Sequence, residues 1–146
     1  MIFYKTAYIV YMQDFNDLSD NEKEFITKNN QNLEFIIDFK IKSQNSTYYS
    51  VNYRKYFIYK REFYQAFLNY KSTKIINKEQ RHYITITSYR KRILDYGNLV
   101  GGSKPIPDVL IKNGYIYDDG PKNGKIDYFQ RKSLKEFTEI KVWYLP

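Results

Sequence analysis

Four carboxylates stand where a basic chain has least reason to keep them. The stretch from Arg90 to Asp119 reads R-K-R-I-L-D-Y-G-N-L-V-G-G-S-K-P-I-P-D-V-L-I-K-N-G-Y-I-Y-D-D and holds Asp95, Asp108, Asp118 and Asp119. They are four of the nine acids in residues 50–146, a segment that carries nineteen Lys and Arg. Acids against a basic background serve either as structural ion pairs or as ligands for a divalent cation. Mg²⁺ takes carboxylate oxygens and keeps waters for a substrate phosphate. A cation so held activates water and steadies the leaving oxygen in phosphodiester cleavage.

The elements around these acids decide whether they meet. Asp95 follows a strand predicted over Tyr83–Thr87, where β-branched residues alternate. Pro105 and Pro107 are tolerated only in a first helical turn. They place Lys104 at a helix N-terminus, on one face with Asp108 four residues on, and the helix stops at Asn113-Gly114. Asp118-Asp119 then follows a turn and a short strand, so Asp95 and Asp119 are expected to converge at strand ends. Gly101-Gly102 beside Lys104 suits a phosphate-binding turn; a plain turn explains the pair equally well.

The rest of the chain reads as the frame. Ile2 to Met12 alternates as a strand, Ser19-Asp20 caps a short helix to about Lys28, and Leu33 to Ile41 is a second strand. From Arg54 to about Ile76 apolar residues recur at helical spacing, giving the longest helix. Strands are expected over Ile126–Arg131 and Phe137–Tyr144. This order predicts one α+β domain with a mixed sheet and two principal helices.

Composition excludes more than it assigns. The 146 residues include no cysteine, which removes disulfide scaffolds, thiolate metal sites and cysteine nucleophiles and suits a reducing, cytoplasmic setting. No apolar run approaches the roughly 18 residues of a membrane span, and no signal peptide is read. The net charge of +8 is uneven: residues 1–49 sum to −2 and residues 50–146 to +10. A basic body suits a polyanion, because phosphate neutralisation releases counterions; a solvated lysine surface is the plainer alternative. The seventeen Tyr and ten Phe accompany abundant Ile, Lys and Asn, the mark of AT-rich coding, and carry no stacking argument. His82 and Trp143 are read as structural.

Taken together, R-x-x-D-x-x-N-L-x-G-G-x-K-P-x-x-D-x-L followed by G-x-I-x-D-D resembles the RusA family of Holliday junction resolvases, especially its phage and prophage members. The resemblance runs from about Leu33 to Tyr144. It takes in Ser50-Val51-Asn52 with Arg54 and Arg61 upstream, and Tyr128 to Lys132 downstream. Residues 1–32 stand outside it as an N-terminal addition of unknown role, leaving 33–146 as the endonuclease-like domain. The resemblance implies a homodimeric endonuclease using Mg²⁺, or Mn²⁺ in its place, that resolves four-way DNA junctions by paired nicks. Asp95 and Asp119 would be metal-site carboxylates, joined by Asp118, and Lys104 the essential lysine. Asn98 and Asp108 would orient these groups. DNA contacts are expected at Asn52, Arg54, Arg61, Arg90, Lys91, Arg92, Arg131 and Lys132. The family usually reads Asp-x-Asp-Asn where this chain has Asp95-Tyr96-Gly97-Asn98, so Gly97 removes one expected carboxylate. The alternative is a weakened or inactive relative that binds branched DNA.

Overall fold

The computed structural model describes residues 8–10, 18–44, 53–68 and 80–146. Five strands, β1 (Tyr8–Val10), β2 (Leu33–Ile37), β3 (His82–Arg90), β4 (Gly124–Lys132) and β5 (Phe137–Tyr144), form one sheet in the order β1-β4-β3-β5-β2. Only β3 and β4 run parallel, so the sheet is mixed. Helices α1 (Asp20–Lys28), α2 (Tyr53–Phe67), α3 (Tyr96–Gly102) and α4 (Pro105–Lys112) complete a single α+β domain.

Strand alternation divides the side chains between two faces. Phe35, Ile37, Ile84, Ile86, Ile140 and Val142 point to one face, where Phe63 and Phe67 of α2 and Leu110 of α4 bury them. Aromatic edges close this core: Phe35 lies 5.0 Å from both Phe67 and Tyr115, ring centre to ring centre. The opposite face carries Tyr83 and Trp143, which α1 covers with Phe25 and Ile26. Trp143 is therefore core, and its indole Nε1 donates to the Asn29 carbonyl at 2.9 Å.

The described part of residues 1–32 is built into this fold. Ser19 caps α1 through a reciprocal pair, its hydroxyl accepting from Glu22 N–H while its own N–H donates to Glu22 Oε1. Glu22 also accepts from Arg81, whose guanidinium holds its carboxyl below the usual range. β1 pairs with β4, Tyr8 facing Arg131.

Two expectations change. The second strand ends at Ile37 rather than Ile41, because the Phe39 N–H turns back to the Ile37 carbonyl. No strand precedes Asp118: Gly114, at φ 77°, reverses the chain, and the N–H groups of Tyr115 and Ile116 cap the Leu110 carbonyl instead. The longest helix is described to Phe67; its expected continuation lies outside the described residues, as do Asn52 and most of the first expected strand. Among the described residues no helix is long and apolar enough to cross a membrane.

Candidate active site

Every candidate acid lies on the connection between the parallel strands β3 and β4. The connection leaves the sheet through Arg90, which is 3 % exposed. Its guanidinium donates to the carbonyls of Arg92 and Ile41 and to Ser88 Oγ. The expected DNA contact at Arg90 is thereby corrected: its donors face inward, while Lys91 and Arg92 remain exposed. Two residues later Gln130 of β4, fully buried, takes the Leu94 N–H on Oε1 and donates from Nε2 to the Leu94 carbonyl, both at 2.8 Å. Asp95 follows as the N-cap of α3, yet its side chain makes no capping hydrogen bond and is exposed. An aspartate there ordinarily accepts from the first helical N–H groups.

The glycine pair serves packing rather than a phosphate turn. Gly101 and Gly102 end α3, and a Cβ on Gly102 would fall 1.7 Å from the Lys42 carbonyl oxygen. Tyr59 locks the same approach, its hydroxyl accepting from Lys42 N–H at 3.0 Å and donating to the Gly102 carbonyl. Burial pushes this phenol's pKa far up. Gly102→Ala must separate two backbones, so we expect a loss of about 3 kcal/mol, read from urea midpoints. A stability within about 0.5 kcal/mol of wild type would show that the contact yields easily.

Lys104 is the exposed N-cap of α4, as its prolines require. Asp108 does not pair with it across the turn. Its carboxylate meets Lys60 Nζ of α2 at 3.1 Å.

Beyond α4 the chain reaches Asp118 and Asp119. Asp119 lines an open cleft of about 590 Å³ with Gln44, Tyr96, Gly97, Pro121 and Tyr128. Its pKa is raised, first by partial burial, then by the negative charge of Asp118 and, less strongly, Asp108. Tyr96 and Gly97 directly follow Asp95. The cleft sets Asp119 opposite the first turn of α3, the helix that Asp95 caps, and Asp95 itself is not among the residues that line it. Asn98 sits half-buried on the same helix. Lys125 also borders the cleft, but strand alternation sends its side chain to the other face. There its Nζ lies 3.6 Å from buried Asp127, which accepts from the Tyr83 hydroxyl.

These acids offer hard oxygen donors suited to Mg²⁺ or Mn²⁺. Among the described residues no group of three or more His, Cys, Asp or Glu side chains is gathered to hold a metal ion. Mg²⁺ does not require one, since it is commonly held by one or two carboxylates plus waters and substrate phosphates. The raised pKa of Asp119 is what crowded carboxylates show before a cation relieves them. On that ground Asp119, with Asp118 beside it, fits a cation shared with a phosphate.

No family model matches the chain, and no curated protein matches it.

The remaining basic candidates fall into two patches. Arg54 and Arg61 are exposed on α2 and border a groove of about 800 Å³ that also contains Asp108. Lys91 and Lys132 share a shallow depression at the far end of β3 and β4, with Arg92 and Arg131 exposed nearby in sequence. Lys91→Ala or Arg92→Ala should each make the slope of log junction affinity against log salt shallower by about one. Arg90→Ala should leave that slope alone and lower the melting temperature. An unchanged slope in both surface variants would move the DNA contact elsewhere.

His82 opens β3, at the end of the strand opposite Lys91, and behaves as core. It is 1 % exposed, and neither ring nitrogen has a hydrogen-bond partner among the described residues. Burial chiefly, with help from the Arg81 cation and against Asp118, lowers its pKa to about 4. The unfolded chain therefore takes up a proton near pH 6.5 that the folded chain refuses, and stability drains away as pH falls from there towards 4. His82→Leu should remove this drain. Relative to the variant, wild type should lose about 3 kcal/mol between pH 7.5 and 4. Parallel pH curves for the two proteins would refute it.

Proposed function

We propose that this chain is a Mg²⁺-dependent endodeoxyribonuclease that resolves Holliday junctions by paired nicks, acting as a cytoplasmic homodimer on branched DNA. The carrying observation is the cleft in which Asp119, its pKa raised by burial and neighbouring carboxylates, faces the helix turn that opens with Asp95. The motif resembling RusA supplies the reaction and the roles. Asp95 and Asp119 hold the cation, and Asp118 adds negative charge beside them. Lys104, at the exposed head of α4, meets the negative charge that develops at phosphate. A bound cation supplies charge neutralisation at the scissile phosphate and activation of water. The basic patches hold the phosphate backbone and add no sequence choice of their own.

Gly97 favours a second reading, a protein that binds branched DNA and cuts weakly. Its position borders the cleft where the family carries a further carboxylate, and no acid among the described residues completes a group of three. A nicking assay on a synthetic four-way junction with Mg²⁺ or Mn²⁺ separates the readings, with linear duplex as control. Metal-dependent paired nicks in the junction alone support the first. Tight, selective binding without nicks supports the second, and indifference to branching overturns both.

A further inference from the structure

Asp95 carries the proposed metal site, yet its own side chain does nothing to fix its place. It has no capping bond, and the segment before it has no regular secondary structure. The position of Asp95 must be imposed by its neighbours.

The neighbour that imposes it is Leu94, and Leu94 is held by Gln130. The two hydrogen bonds between the Gln130 amide and the Leu94 peptide use both the N–H and the C=O of that residue. A primary amide and a peptide edge joined in this way form a closed ring that fixes rotation as well as position. Gln130 is fully buried on the helix-side face of β4, with Ile126 and Tyr128, so its amide is costly to leave unpaired. Strand β4 is anchored on both sides, by β1 and β3, which gives the amide a rigid base. The same strand presents Tyr128 to the cleft beside Asp119. The strand thus lines one side of the cleft and, through Gln130, holds the residue that leads into the helix on the other.

We infer that Gln130 is a positioning residue for the metal site: through Leu94 it sets where the Asp95 carboxylate stands relative to Asp119. The inference rests on the proposed reading of Asp95 and Asp119 as a cation site. It assigns Gln130 no contact with metal or substrate.

The test reads metal binding apart from activity. Mn²⁺ binding is followed in the wild-type chain by paramagnetic broadening of backbone amide signals in 94–98 and 118–120, and nicking of a four-way junction is assayed beside it. Gln130→Met, similar in length and unable to form the ring, should raise the Mn²⁺ concentration for half-maximal broadening at least tenfold. Junction affinity without metal should stay within about twofold, since no phosphate contact is lost. Gln130→Glu keeps the acceptor for Leu94 N–H and loses the donor, and should fall between Met and wild type. A purely structural Gln130 would lower the melting temperature and leave the Mn²⁺ midpoint of the folded fraction unchanged, which would overturn the inference.

If both variants fail to fold, the wild-type chain still decides. The Gln130 side-chain NH₂ signals should exchange slowly and shift with Mg²⁺ at the midpoint seen for Asp95, whereas signals indifferent to Mg²⁺ would overturn the inference. Wild-type protein that binds no metal at 94–98 sinks the site reading and this inference with it. Wild-type protein that binds metal while Gln130→Met binds it equally well sinks the inference alone.

Discussion

Asp119→Asn should reduce Mg²⁺-dependent nicking of a four-way junction by about a thousandfold, the scale on which removal of a single oriented charge acts on catalysis. The same change should raise the melting temperature slightly. Folding drives the Asp119 pKa up, through burial and through the charges of Asp118 and Asp108, so the ionised carboxylate is less comfortable in the fold than out of it. The sign follows: its charge counts against stability at neutral pH, and an uncharged amide relieves the strain. Metal-free junction affinity should rise modestly as well, because one repulsive charge near phosphate has gone. Loss of activity with gain in stability and binding is a pattern that a merely structural aspartate does not give. A variant that keeps cutting would remove Asp119 from the chemistry, and one that melts lower would overturn the predicted gain in stability.

Gly97→Asp should do the reverse and speed nicking, on the order of tenfold to a hundredfold if a missing carboxylate limits the cation site. The fold leaves room for it. An added Cβ at Gly97 meets nothing within 4 Å, and Gly97 is not among the glycines of positive φ, so no backbone strain opposes the change. The residue falls in the first turn of α3, where an acid is favoured by the helix dipole and a glycine is a poor helix former. Together these contribute about 1 kcal/mol and offset the repulsion from Asp119 across the cleft. The melting temperature should therefore stay near that of wild type. Brisk cutting by wild type, with no increase in a well-folded Gly97→Asp, would mean that the site is complete without this carboxylate.

Much of the frame is readable from the sequence because local periodicity writes it there. Alternation over Tyr83 to Thr87 and Phe137 to Tyr144 marks β3 and β5, the cap at Ser19 marks α1, and Pro105 with Asn113-Gly114 brackets α4. Relations between distant residues are not written locally. Arg90 belongs by composition to a surface cluster, and only the arrival of the Ile41 carbonyl, 49 positions away, turns it inward. Lys104 and Asp108 have the spacing of a helical ion pair, but Lys60 on another helix reaches Asp108 instead. The glycine pair reads as a turn because nothing local announces that Lys42 will press against Gly102. Gln130 falls in the segment Tyr128 to Lys132 that shares the family resemblance, but nothing local gives it a role. A glutamine in a strand is commonplace until Leu94, 36 positions earlier, is brought to its amide.

Strands β3 and β4, the parallel pair, sit inside the sheet between β1 and β5, and the four candidate acids and Lys104 lie on the single excursion that joins them. The middle of this excursion belongs to the core, with Leu99, Ile106, Val109, Leu110, Tyr115 and Ile116 buried, but its end does not. Its far part, from Tyr117 to Lys122, is half or fully exposed, while the strands at its two ends have partners on both sides. Such segments open at lower free energy than the element that carries them. Changes at Asp118 and Asp119 therefore fall on a stretch that the core does not use, whereas changes at Gly102 strike the part that it does.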